Sequence, residues 1–189
     1  MSHTRRTFLQ SAAAAVGAAA ASRPAAGQGR GGVQSPAAPP IPASRVQVPK
    51  VRFGGVEISR LIVGCNPFYG FSHFNNTLSA IMRDYYTAER VCDVLHQCSR
   101  FGINTYNYVD LGRAGHDLDR FRAEGGSMHL VVQGMDDMKS FHAARKPLAI
   151  YHHGGRTDRA YQEGKLDSVR EWCKQIRDLG CLVGVGSHK

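Results

Sequence analysis

From Val46 onward, short β-branched or apolar runs alternate with stretches whose apolar residues recur at intervals of three and four. A strand repeats its facing every two residues and a helix every 3.6, so the alternation predicts parallel strands joined by crossover helices. Five strands are expected in order, at residues 61–65, 103–108, 130–133, 148–151 and 182–185. Ahead of them, Val51-Arg52-Phe53 and Val56-Glu57-Ile58 flank Gly54-Gly55, which predicts a hairpin whose turn tolerates positive φ. Thr87 is placed to cap a helix with Val91, Val94, Leu95 and Cys98 on one stripe and Gly102 at its close. Asp167 is expected to cap another, with Val169, Trp172, Cys173, Ile176 and Leu179 on its stripe and Gly180 at its end. Residues 117–123 and 137–144 read as shorter helices, and Pro147 stops the second. The acids of His116-Asp117-Leu118-Asp119 suit the start of a helix. Residues 66–86 read as a long loop carrying Phe68, Tyr69, Phe71, Phe74, Tyr85 and Tyr86, either an aromatic wall for a sugar ring or flat substrate or packing against the sheet.

The first 45 residues follow a different pattern. Thr4-Arg5-Arg6-Thr7-Phe8-Leu9-Gln10 resembles the twin-arginine export motif, and residues 12–21 contain only Ala, Gly and Val. That run is too short and too weakly apolar for a permanent membrane span, so residues 1–26 are expected to be a cleavable signal peptide. Residues 27–45 are rich in Gly, Pro and Ala and lack large side chains, which predicts a disordered linker before a folded region at 46–189. The motif implies passage through the twin-arginine export machinery to the periplasm or cell envelope.

Charge and cysteine content change the picture little. The net charge of +9 includes five Arg and no acid in residues 1–45, leaving 19 basic and 15 acidic residues beyond them. No basic stripe with interleaved aromatics is present, so no nucleic-acid partner is expected. Cys65, Cys92, Cys98, Cys173 and Cys181 form an odd set without close pairs, which signals neither a disulfide framework nor a zinc knuckle. They read as small apolar residues.

No GxGxxG follows any predicted strand, which disfavours an open doubly wound sheet and favours an α/β architecture of about five βα units, a partial TIM (β/α)8 barrel preceded by a β-hairpin. Several segments carry a resemblance in the same order. VRFGGVEISRLIVGCNPF, FGINTYNY, LVVQG, LAIYHHG and LGCLVGVGSH are similar to the opening hairpin and first five strands of the aldo/keto reductases, over about residues 49–188. The resemblance implies carbonyl reduction by hydride transfer from NADPH, with an Asp, Tyr, Lys and His tetrad at the carboxyl-end mouth of the barrel. At the matching positions Asn107 stands for the Asp, Gln133 or a neighbour for the Lys and Gly112 for the Tyr, while His153 or its neighbour His152 matches the His. Tyr108 or Tyr69 is the substitute expected if a tyrosine still serves as the acid. Eight units need about 250 residues, so the chain is expected to be the N-terminal part of a barrel, with NADPH held in a complete one.

Barrel catalysis uses side chains at the carboxyl ends of strands, which here gathers Cys65, Asn66, Asn107, Gln133, His152, His153, Ser187 and His188. The alternative to a reductase is a His-dependent lyase, isomerase or hydrolase acting on a carbohydrate-like small molecule, or a metal-dependent one in which two of His152, His153 and His188, with or without His73, meet the ion. A fragment without catalysis is the third expectation.

Overall fold

The structure is a computed structural model that describes residues 45–134 and 136–189 of the 189-residue chain. The predicted signal peptide and all but the last residue of the predicted linker lie outside the described residues.

β1 (Lys50–Phe53) and β2 (Val56–Ser59) form the expected antiparallel hairpin, with Phe53 opposite Val56. Gly54 turns it at φ 60°, and a Cβ there would lie 2.8 Å from Leu182 Cδ1, so glycine is needed for both conformation and room. The chain continues through β3 (Val63–Gly64), α1 (Asn66–Tyr69), α2 (Asn76–Tyr85), α3 (Ala88–Arg100), β4 (Thr105–Tyr108), α4 (Ala114–Ala123) and β5 (His129–Gln133). It ends with α5 (Met138–Arg145), β6 (Ala149–His152), α6 (Gly154–Gln162), α7 (Leu166–Asp178) and β7 (Leu182–Val185). The five later strands make one parallel sheet in the order β3-β4-β5-β6-β7. The fold is therefore α/β, a five-stranded parallel sheet with a separate two-stranded hairpin. No described helix is long and apolar enough to cross a membrane.

Because side chains alternate across a strand, each strand presents two sets of residues. Tyr106, Tyr108, Leu130, Val132 and Ile150 belong to one set, and they are buried in one cluster with Val91, Leu95, Leu118, Phe121, Phe141 and Ile176 from α3, α4, α5 and α7. All four helices thus cover the same face of the sheet. Asn107, Val131, Gln133, Tyr151 and Gly184, of the other set, are only half-buried. This second face is where polar side chains can be displayed.

Several boundaries differ from the sequence-based expectation. The first of the five expected strands shrinks to two residues, and the chain before it is held by side chains: Ser59 N–H donates to Asn104 Oδ1 (2.7 Å) and Asn104 N–H donates to Ser59 Oγ (3.1 Å). The long loop at 66–86 instead contains α1 and α2. Pro67 sits in the first turn of α1, Gly70 closes it at φ 77°, and Asn75 caps α2 by accepting from Leu78 N–H (2.8 Å). Asp167 does not cap α7, which begins at Leu166 after Lys165; it lies in the first turn and accepts from Arg170 (2.7 Å). Thr87 does cap α3, accepting from Arg90 N–H (3.4 Å).

Asp117 does lie in the first turn of its helix, as expected, but it is buried. α4 begins three residues before it, and its carboxylate is fully buried. Arg113 one turn earlier donates through Nε to Asp117 Oδ2 (2.9 Å) and through its terminal nitrogen to the carbonyls of Phe68 and Tyr86. One guanidinium thereby neutralises a buried charge and ties α1 and the end of α2 to α4. Arg113→Ala is expected to cost about 3 kcal/mol, because an uncompensated buried carboxylate is left behind. Urea denaturation of the two proteins measures the loss, and an unchanged midpoint would contradict the stapling role.

Candidate active site

The carboxyl ends of the parallel strands open onto a cavity of about 380 Å³, a size suited to a small molecule. In register, Asn107 lies beside Val131, Gln133 beside Tyr151, and Tyr151 beside Gly184. Side chains of the half-buried set therefore meet across neighbouring strands. Asn107 and Gln133 both line the cavity, as does Tyr151, whose hydroxyl donates to Asn107 Oδ1 (3.1 Å). Cys65 and Asn66 close it at the end of β3, and Ser187 and His188 do so beyond β7. Phe71 and His73 reach it from the connection between α1 and α2, where Asn66 Nδ2 lies 3.0 Å from His73 Nε2.

The adjacent histidines that sequence matching left as alternatives are separated by strand alternation. His152 belongs to the helix-facing set with Ile150. Its ring centroid is 5.0 Å from that of Trp172, and Nδ1 lies 2.8 Å from Thr157 Oγ1. Thr157 gives its own hydrogen to the carbonyl of His153 (3.1 Å), so it accepts from His152 Nδ1–H. Burial, helped by the positive Arg156 and by His153, holds the His152 imidazole below its ordinary value of 6.5. His152 is a packing residue of the helical layer and leaves the candidate site. His153 instead lines the cavity and caps α6, its Nδ1 accepting from Arg156 N–H (3.4 Å).

Tyr108 lines the cavity at its core-facing side. It stacks on Phe141 within the core, forms only part of the cavity wall, and donates to Asp110 Oδ1 (2.5 Å). Burial and the bond to Asp110 push its phenol far above the usual tyrosine range. Burial does the same to Tyr69, which points to Asp117, and raises Tyr151. None of these three phenols is made acidic. Burial also raises the Cys65 thiol, which argues against an activated nucleophile. Among the described residues no three His, Cys, Asp or Glu side chains gather to hold a metal ion. Of the histidines considered for an ion, His152 faces the helices and His73 lies against Asn66, while His153 and His188 line the cavity.

Tyr151 and Asp158 are two residues at the site that sequence reasoning missed. Asp158 lies beside the cavity-lining Ser187 and His188. Its carboxylate accepts from Ser187 Oγ (2.7 Å) and lies 2.8 Å from His188 Nδ1, and these two bonds hold it below the usual carboxylate range. It sits on α6, whose sequence GGRTDRAYQ lacks an apolar stripe and opens with two glycines. A Cβ at Gly154 would lie 2.7 Å from His188 Cε1, so any larger residue there would have to displace that ring.

The packing role of His152 has a pH signature. A lowered folded value means that the unfolded chain takes up the proton first as pH falls, so the stabilising contribution is complete above about pH 6.5 and is lost below it, down through the depressed folded value. The melting temperature is expected to fall between pH 8 and pH 5, and by less in His152→Gln. Calorimetry across that range measures it; an identical pH dependence in the variant would contradict burial of a neutral His152. Compared with protein families, characterised proteins and solved structures, the chain shows no significant match to any of them.

Proposed function

We propose that this chain belongs to a (β/α)-barrel enzyme related in strand plan to the aldo/keto reductases, exported by the twin-arginine route, and that its cavity performs histidine acid–base chemistry on a small carbohydrate-like molecule. One observation carries this reading: His153 shares a cavity at the carboxyl ends of five parallel strands with Asn107, Gln133 and Tyr151. A strand order without reversal and helices on a single face support the barrel plan, because a doubly wound sheet reverses its order at its binding crevice. The polar groups suit hydroxyls and a carbonyl. Asn66, Asn107 and Gln133 offer amide donors and acceptors, and Phe71 supplies an apolar surface for a ring face.

Carbonyl reduction with NADPH is the second reading, favoured by Asn107, Gln133 and His153 occupying three successive strand ends in the order of the family's site. The donor set does not fit that reaction. The family's relay needs a tyrosine acidified by a cation beside an acid, whereas Asn107 and Gln133 are neutral and burial raises Tyr69, Tyr108 and Tyr151. Histidine is the remaining proton carrier.

A thermal-shift screen of aldoses, ketoses, sugar acids and NADPH against the full chain separates the two readings. A ligand at about 100 times its Kd adds about 2.7 kcal/mol, which raises the melting temperature of a domain of this size by several degrees. At least one saccharide is expected to do so, Asn107→Ala to lose the shift, and NADPH to give none. A shift with NADPH alone would overturn the histidine reading in favour of the reductase.

A further inference from the structure

Three imidazoles line the cavity; His73 Nε2 lies 3.0 Å from Asn66 Nδ2, and the hydrogen-bond partners of the other two, His153 and His188, give them opposite roles. His153 uses Nδ1 to accept the backbone N–H of Arg156, so its proton sits on Nε2 and that nitrogen is a donor. His188 is the reverse. Its Nδ1 faces the Asp158 carboxylate at 2.8 Å, so the proton sits on Nδ1 and Nε2, which makes no hydrogen bond to any described residue, is an acceptor. The ring centroids are 6.4 Å apart, which leaves both rings within reach of neighbouring atoms of one small substrate. Asp158 is itself fixed by Ser187 Oγ (2.7 Å) and by the backbone N–H of His188 (3.2 Å), so the carboxylate has a defined orientation before any substrate arrives.

We infer that His188 Nε2 is a general base and His153 Nε2–H a general acid for cofactor-free isomerisation of an α-hydroxy carbonyl compound, with Asp158 as the positioning residue that sets the His188 tautomer. The inference rests on the histidine reading of the cavity and names its reaction. His188 takes the proton from the carbon bearing the hydroxyl, and the C–H electron pair forms the C=C of an enediol while the carbonyl π pair moves onto oxygen. His153 donates a proton to that oxygen. Collapse of the enediol in the other direction moves the carbonyl to the neighbouring carbon: the hydroxyl of the original α carbon gives its proton to the deprotonated Nε2 of His153, and His188 returns the proton on its Nε2 to the former carbonyl carbon. Both imidazoles return to their starting forms, and no oxidant or reductant is consumed. The amides of Asn107 and Gln133 and the Tyr151 hydroxyl hold the remaining oxygens.

Two measurements on the full chain test this. In the first, three- to six-carbon α-hydroxy aldehydes and ketones are incubated with the protein in D2O, and deuterium at the carbons next to the carbonyl is read by NMR. Wild type is expected to catalyse exchange with at least one of them, with a loss of about 100-fold or more in both His188→Gln and Asp158→Asn. In the second, the imidazole nitrogen shifts of His188 are expected to report the Nδ1–H form in wild type and to move towards the Nε2–H form in Asp158→Asn, a change that mere loss of packing would not cause. Exchange that disappears in His153→Gln but persists in His188→Gln and Asp158→Asn would overturn the dyad while leaving the histidine reading intact. No exchange from wild type with any member of the panel would overturn both, and an Nε2–H form in wild type would overturn the positioning role of Asp158.

Discussion

The molecule depends on one geometric constraint: in a parallel sheet, residues two apart on each strand share a face, and neighbouring strands end on the same side. With β3 to β7 paired in chain order, one set of side chains goes under the helices and the other converges at the carboxyl ends. The apolar members Tyr106, Leu130, Val132 and Ile150 fill the first set, which fixes the register of each strand, since a slip by one residue would turn them out of the core. The polar members Asn107, Gln133 and Tyr151 then have no choice of location. Hydrophobic burial on one face thus positions polar chemistry on the other.

Much of this was legible from the pattern of residues. The hairpin at Gly54-Gly55, the five strand positions and the Thr87 cap follow from alternation and local turn chemistry, and all recur in the structure. Asn107, Gln133 and His153 were placed at the cavity by strand-end position alone. What failed depended on contacts distant in the chain. The shortened β3 follows a stretch held by the exchange of hydrogen bonds between Ser59 and Asn104, 45 residues apart. The burial of Asp117 follows only once Arg113 and the chain at Phe68 and Tyr86 are brought around it. His152 and His153 are identical in type and adjacent, and only the facing of β6 tells them apart.

The helix α6 shows how much organisation a weakly patterned segment can carry. Within its first turn and a half, His153 caps it, Thr157 takes the ring of His152 out of the cavity, and Asp158 fixes Ser187 and His188. Three imidazoles receive three different settings from a single short element. One is packed and neutral against Trp172, one is a donor and one is an acceptor. Tyr69, Tyr108 and Tyr151, by contrast, are driven away from acidity by burial.

Nuclear Overhauser contacts in the labelled protein test the central geometry most directly, because they read which face each ring occupies. The account predicts contacts from the Tyr151 ring to the Asn107 side-chain amide, and from the His152 ring to Trp172 rather than to His188. Contacts from Tyr151 to the core residues Ile176 or Phe141, or from His152 to His188, would mean that β6 faces the other way and that no shared cavity of this composition exists.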